Sequence, residues 1–505
     1  MRIRHFRKAN REPVLHIRLR LVRGNTRRWH LVLAQRIIDE GHAVSIQWSE
    51  GGRPLPHSLD LLKWVEQTLY SSSARGPADY SVRIADAAFS AFNAAPPPDV
   101  TVNLTGEPGR NGTGEELVPV FGEAWDERGI IAALVEDRSP VVGWARLPEG
   151  VLVSAGVAAI TAPHILSQCL SQALALTVDL FARALARRQV RGAGAVALGP
   201  RLAPVAQSPG LVAHGARALA DRLTGRVNAL LGAGGQWNIA WRTIRPGSGI
   251  VETGRLDLDG FRWLARDPLR YFADPFPVGF QGRTFLFCEE FPYALGHGIL
   301  SVFEIGADGT VGPARAVLDP GYHVSYPCIF EHEGAFWMIP ETAAGRTLDL
   351  YRAEAFPDRW VRHATLATGC SFADATFFRH DGRCWIAATV PAEGQSDRDT
   401  LSLFYADHPE GEWFAHPGNP VVADVASARP AGWLVPCADG LRRPAQDCTG
   451  GYGWGLTIAR IDRLTTEDYA ETVVARLQPP AAIRARGLHT VNAGGGIETI
   501  DAIVP

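Results

Sequence analysis

The sequence predicts two architectures in one chain: an α/β, Rossmann-like domain at the N-terminus and an all-β five-bladed propeller after it. Three observations predict this. Hairpin-like copies recur from Ala273 to the end of the chain, with leading residues Asp274, Tyr326, Asp374, Arg429 and His489 spaced 52, 48, 55 and 60 positions apart. About fifty residues is what one four-stranded blade needs. A strand–helix–strand pattern opens the chain, and a Gly/Ala/Pro-rich stretch separates the two regions. The predicted domains are 1–190, a linker over 191–236 carrying one amphipathic helix near Leu211–Leu231, and 237–505.

In the first region, VLHIRLRLV (14–22) has the β-branched and apolar content of a strand. The Arg28–Glu40 segment has apolar residues at helical spacing, and Gly41 stands where a helix-ending glycine would. AVSIQW (43–48) reads as a second strand, and such a unit pairs in parallel by a right-handed crossover. DVTVNLTG (99–106) reads as a further strand ending in polar and glycine residues. A long helix is predicted from about Pro163 to Arg188. His164 reads as a helix-start residue.

In the second region the first three copies are ADPFPVGFQGRTFLFCEE, SYPCIFEHEGAFWMIPET and ADATFFRHDGRCWIAATV. Each has an alternating strand, a tight turn and a second strand. The turns Gln281-Gly282, Glu333-Gly334 and Asp381-Gly382 are of the type that joins hairpin strands. The copies at 428–447 and 489–502 are more divergent. A third strand is predicted at 299–305, 347–353, 401–407 and 455–461, and a fourth near Trp360 and Trp413. Radial packing would bring the five leading residues to one funnel. Glu289, Glu290, Glu341, Gln446 and Asp447, at the ends of the next strands, would form a second ring. Converging charged and aromatic residues point to a polar ligand.

Bulk properties narrow the function. Hydrophobic residues make up 46% and charged residues 20% of 505, and the net charge is −3. A protein built to grip nucleic acid would carry a basic surplus. The seven cysteines are odd in number and lack CxxC spacing, so reduced thiols, a cytoplasmic location and no metal or cofactor are predicted. The basic N-terminus lacks the apolar run of a secretory signal. Val151–Leu166 is too short to span a bilayer, and Ala173–Leu185 is broken by Asp179. Both read as core elements and no transmembrane segment is predicted.

ADPF with its following hairpin, DATFFRHDGRCWIA, EWFAHPGNPVV and HTVN resemble blades of five-bladed glycosidases of the arabinanase and invertase type. YFADPF, SYPCIFEHEG, MIPET, DATFF, SARPAG and RPAQDCTGGYG resemble more closely the propeller domain of the glucosamine inositolphosphorylceramide transferase family. That domain also occurs in bacterial proteins behind a formyltransferase-like domain. The N-terminal region here resembles such a domain in degenerate form, without a glycine-rich dinucleotide fingerprint or an HxSxLP context. The resemblance implies a sugar-handling fold. In the plant proteins transfer is ascribed to a separate glycosyltransferase domain, so a partner glycosyltransferase is implied.

By position, Asp274 is expected to be base or nucleophile, with Asp374 orienting the sugar and Glu341, Glu290 or Asp447 supplying the acid from the second ring. The fourth copy opens Ser427-Ala428-Arg429-Pro430, with no carboxylate where those glycosidases place their acid. Glu290, Tyr326, Arg429, Gln446, Asp447 and His489 are expected to contact substrate, a carbohydrate or glycoconjugate. Arg429 and His489 are alternatively expected to hold an anionic group on the sugar. Two other functions stay open: a non-catalytic glycan-binding module, or formyl or acyl transfer to an amino sugar by the N-terminal domain.

Overall fold

The structure is a computed structural model and describes residues 14–51, 55, 57–70, 78–92, 97–107, 115–187, 196–197, 210–230, 235–479 and 485–504. The chain falls into two compact units. One lies within 8–228 together with 392–396; the other lies within 229–391 and 397–505. Apart from Val196–Ala197, the helix Leu211–Leu230 and positions 210, 235 and 236, the linker predicted over 191–236 lies outside the described residues.

The first unit is built on a seven-stranded sheet. In spatial order its strands are Ala43–Ser49, His16–Val22, Val100–Asn103, Glu116–Phe121, Val141–Leu147, Val151–Val157 and Val196–Ala197. The first four pair in parallel, as the strand–helix–strand pattern predicts, with the helix Arg28–Asp39 between the first two in sequence. The remainder is antiparallel; for Val141–Leu147 and Val151–Val157 the reason is a tight turn through Gly150, too short for a crossover. The sheet is therefore mixed. The predicted Rossmann-like pattern accounts only for its first half, and the antiparallel strands were not legible as strands. The segment Leu166–Ala186 is, among the described residues, the one helix long and apolar enough to cross a membrane, and most of it is buried in the fold.

The second unit is a five-bladed β-propeller. Blade 1 consists of Arg270–Phe280, Arg283–Pro292, Ile299–Ile305 and Arg315–Leu318. Blade 2 consists of Ser325–His332, Ala335–Glu341, Thr347–Ala355 and Arg359–Thr368. Blade 3 consists of Ala373–His380, Arg383–Thr389, Ser402–Ala406 and Phe414–Ala415. Blade 4 has Val435–Cys437, Gly440–Asp447, Gly455–Leu464 and Tyr469–Leu477. Both central residues of the first three hairpin turns have positive φ, as a tight right-twisted hairpin requires.

Blade 5 explains why the fifth copy lacks a third strand in sequence. Gly487–Gly494 and Ile497–Val504 form its inner half, and Gln236–Thr243 and Arg262–Trp263 form its outer half. The Ile497–Val504 strand pairs along its whole length with Gln236–Thr243. Residues near both ends of the propeller sequence thus share one sheet and close the ring. Buried aromatics such as Phe276, Phe287, Trp337, Trp360 and Phe372 fill the space between blades 1 to 3. Each stabilises the fold by roughly 1.5–3 kcal/mol through burial.

One local feature positions the site. In four blades the inner strand bulges at the same place, so that two residues face one on the neighbouring strand. These bulges follow Ala273, Ser325, Ala373 and Leu488. The first bulged residues of blades 1 to 3, Asp274, Tyr326 and Asp374, have φ of 52°, 46° and 50°. Left-handed backbone at a non-glycine residue costs on the order of 1–3 kcal/mol and persists only where surroundings enforce it.

Candidate functional site

Carboxylates hold these bulges. The backbone N–H of Asp274 donates to Asp501 Oδ2 at 2.9 Å, that of Tyr326 to Asp274 Oδ2 at 3.2 Å, and that of Asp374 to Glu341 Oε2 at 3.0 Å. In each case an acid of one blade caps the bulge of the next. The same acids converge near the propeller axis. Asp274 is 4% exposed and Asp374 2%.

Around Asp274, the Thr490 hydroxyl donates to Oδ1 at 2.9 Å and His489 Nε2 lies 3.5 Å from the same oxygen. His489 Nδ1 lies 2.7 Å from Asp501 Oδ2, and Trp237 stacks on the imidazole with ring centroids 4.0 Å apart. Around Asp374, Oδ2 accepts from Arg429 Nε and from Gln446 Nε2, both at 2.6 Å. Arg429 also reaches Asp397 Oδ2 at 2.9 Å and Glu341 Oε2 at 3.6 Å. Tyr452 lies over the guanidinium at 5.0 Å and is 37% exposed. Two glycines in its loop, Gly450 and Gly453, let the chain pass this close; a side chain at Gly450 would strike Trp454 and one at Gly453 would strike Trp237.

Six carboxyl groups (Asp274, Glu289, Glu341, Asp374, Asp397 and Asp501) thus meet Arg429, His489 and, at Asp397, Arg398, whose Nε lies 3.6 Å from Oδ1. The surplus appears as shifted protonation. Burial pushes Asp274 up to about 6, with His489 pulling it down and Asp374 and Asp501 adding to the rise. Burial, with the charges of Asp274 and Asp374 respectively, raises Glu289 and Glu341 well above the ordinary carboxyl range. Burial opposes the charge on His489, but Asp501 and Asp274 outweigh it and raise the imidazole to about 9. Carboxyls of differing proton affinity around one point are what acid–base chemistry needs.

The His489 shift fixes a pH dependence of stability. Its folded pKa exceeds the unfolded value of about 6.5. The stabilisation is therefore complete below about pH 6.5 and is lost as pH rises through about 9. Thermal melts from pH 7 to 10 are expected to show a falling midpoint in the wild type and a flatter profile in His489→Gln. Parallel profiles in the two proteins would remove the charged imidazole from this account.

The expected residues separate into two groups. Asp274, Asp374, Glu341, Arg429, Gln446 and His489 come together. Tyr326 does not face the funnel: its ring packs edge-on to Phe276 and its hydroxyl shares a hydrogen bond with Thr376 at 2.8 Å. Glu290 accepts from Arg270 Nη1 at 2.7 Å and from the Ser301 hydroxyl at 2.6 Å. Strand alternation puts the adjacent Glu289 on the other face, where the Tyr271 hydroxyl donates to its Oε1 at 3.4 Å, His323 Nε2 lies 3.8 Å away, and the charge of Asp274 is near enough to raise its proton affinity. Asp447 closes a turn on the N–H and hydroxyl of Thr449. The alternative in which Arg429 and His489 receive an anion is not what the geometry provides, since carboxylates already engage both. Sequence reasoning missed Asp501, Asp397, Trp237 and Tyr452. An acid at the end of the second strand of the last copy was the available signal for Asp501. The others lie in loops or on a strand that joins the ring only in three dimensions.

Asp274, His489 and Asp501 bring ligand-type atoms within 4.8 Å of one another, so these are the funnel residues that could hold a metal ion.

Residues 265–486 match the family described as "Glucosamine inositolphosphorylceramide transferase 1, N-terminal". The glucosamine inositolphosphorylceramide transferase 1 of Oryza sativa subsp. japonica is 33% identical over 250 residues, covering 46% of this chain and 33% of that protein. The Arabidopsis thaliana protein of the same name is 31% identical over 212 residues, covering 41% and 28%. The chain thus spans about a third of the length of these relatives. Among solved structures, a family 117 glycoside hydrolase of Zobellia galactanivorans is 12% identical with a TM-score of 0.34, covering 54% of this chain and 91% of that one. The catalytic domain of a Coprinopsis cinerea GH62 alpha-L-arabinofuranosidase is 11% identical with a TM-score of 0.36, covering 50% and 83%.

Proposed function

We propose that the propeller funnel cleaves or transfers a glycosidic bond in a surface glycan or glycolipid. Asp274 acts as base or nucleophile, and a proton-bearing glutamic acid, Glu341 or Glu289, acts as acid. Asp374, fixed by Arg429 and Gln446, orients the substrate and tunes its neighbours. The observation that carries this reading is the surplus of buried carboxyls around Asp274, which leaves protons on some and not on others. The name of the matched relatives supports a glycolipid as the acceptor or substrate. The cysteines, which form no disulfide among the described residues, support a reducing compartment.

A second reading, a glycan-binding module beside a partner glycosyltransferase, is favoured by a different observation. Both oxygens of Asp274 and one of Asp374 are already engaged by protein donors. Formyl or acyl transfer to an amino sugar by the N-terminal unit is the third reading. Asp126 packs beside Gly106 there, and positions 108–114 of that loop lie outside the described residues.

A panel of glycosides, glycolipids and nucleotide sugars tests the choice. Product formation that disappears in Asp274→Asn supports the enzyme. Saturable binding of a glycan without product supports the module. Turnover of an amino sugar with a formyl or acyl donor, retained in Asp274→Asn, points to the N-terminal unit.

A further inference from the structure

At the opposite end of the inner strands lies a second cluster of chemically capable side chains. Blade 2's inner strand runs from Ser325 to His332, then turns at Glu333-Gly334. At about 3.3 Å per residue, His332 is roughly 20 Å along the strand from Tyr326, and so away from the funnel carboxyls. His408 belongs to the loop after the third strand of blade 3, where Gly411 N–H closes a turn onto its carbonyl at 2.9 Å. The two imidazoles have ring centroids 6.4 Å apart. His332, Glu333 and His408 can each place one ligand atom within 4.8 Å of the others.

An independent feature coincides with this cluster. An open cleft of about 550 Å³ is lined by Glu331, His332, Glu333, Arg379, Asp407 and His408, with Gly382 at its edge. Asp407 pairs with Arg383 at 2.8 Å, which leaves Glu331 and Glu333 against Arg379 and a negative balance. A cation is favoured there over an anion. Two imidazoles with one carboxylate suit borderline divalent ions and leave positions open to water.

We propose that His332, Glu333 and His408 form a binding site for a divalent ion of the zinc, nickel or copper type, bridging blades 2 and 3. The site is separate from the funnel and independent of the glycosidic reading. It also departs from the sequence-based expectation of no metal, which rested on cysteine spacing. Arg379 governs access. Its Nη2 lies 2.7 Å from His332 Nδ1, and because a guanidinium only donates, it occupies that nitrogen's lone pair. Arg379 is exposed, so its side chain can swing out when the metal binds, and it competes until it does.

Titration of the intact protein with zinc chloride, followed by calorimetry, tests this. The wild type is expected to bind zinc saturably and to bind less at acid pH, where protons compete for the imidazoles. His408→Ala is expected to weaken that binding by at least about tenfold, and Glu333→Gln by less. Both side chains are on the surface, so the fold is not at risk, whereas His332 is buried. Arg379→Ala is expected to tighten binding by removing a competitor and a positive charge. Absent zinc binding, or equal affinity in wild type and His408→Ala, overturns the proposal. Weaker or unchanged binding in Arg379→Ala overturns the role given to the arginine.

Discussion

Asp274→Asn is expected to lower turnover on any glycoside or glycosyl donor the protein uses by about 10²–10⁴-fold, the usual weight of a positioned acid–base group. The substitution keeps the shape but removes the charge and the second acceptor. One amide oxygen can still receive either the Thr490 hydroxyl or the Tyr326 N–H, now 2.9 Å and 3.2 Å away. The amide NH2 then faces the other donor, and a buried donor is left unsatisfied at about 1–3 kcal/mol. A modest loss of stability is therefore expected beside the large loss of rate. Steady-state kinetics together with urea unfolding separates the two. Wild-type turnover in a folded Asp274→Asn protein would end the catalytic reading of the funnel. Loss of glycan binding, in a protein that never shows product, would move Asp274 into a recognition role.

Arg429→Met is expected to have the largest effect on stability, on the order of 3–5 kcal/mol. Arg429 is 4% exposed and donates to carboxylates from both Asp374 and Asp397. Its removal strands Asp374 without a counter-charge in a site that already holds surplus acid. Arg429→Lys is expected to recover only part of the loss, because one ammonium cannot replace the fork that spans Asp374, Asp397 and Glu341. Adding Asp374→Asn to Arg429→Met is expected to restore stability partway, since the stranded charge is then gone. Urea midpoints across this double-mutant cycle measure the coupling. Additive losses would mean that Arg429 supports the fold through packing against Tyr452 rather than through the ion pair.

Much of the propeller was legible because its repeat is written in short-range chemistry. Gln281-Gly282, Glu333-Gly334 and Asp381-Gly382 mark hairpins by backbone preference alone, and each lies between strands whose alternation fixes their faces. Blade 5 was not fully legible, since its outer strands stand some 250 positions before its inner ones, and no local signal announces that pairing. The antiparallel half of the first unit escaped for a related reason. Val141–Leu147 and Val151–Val157 are short apolar runs whose period does not separate strand from buried helix.

For the site, the sequence by itself determined which side chains lead each blade: Asp274, Asp374, Arg429 and His489 follow from the repeat and from radial packing. Only the tertiary structure decided what they touch. The same bulge carries Asp274, Tyr326 and Asp374, but the two carboxylates meet polar partners near the axis whereas the Tyr326 ring packs against Phe276 and its hydroxyl bonds to Thr376. A one-residue alternation along one strand gives Glu290 to Arg270 and puts Glu289 on the other face, near the charge of Asp274. Asp397, which shares in the charge balance, arrives from a loop with no regular place in the repeat, and Asp501 from the second strand of the divergent last copy. The physical reason is range. Turn and strand preferences act over a few bonds and can be read along the chain. The protonation of a buried carboxyl depends on every charge within several ångströms, and folding alone brings those charges together.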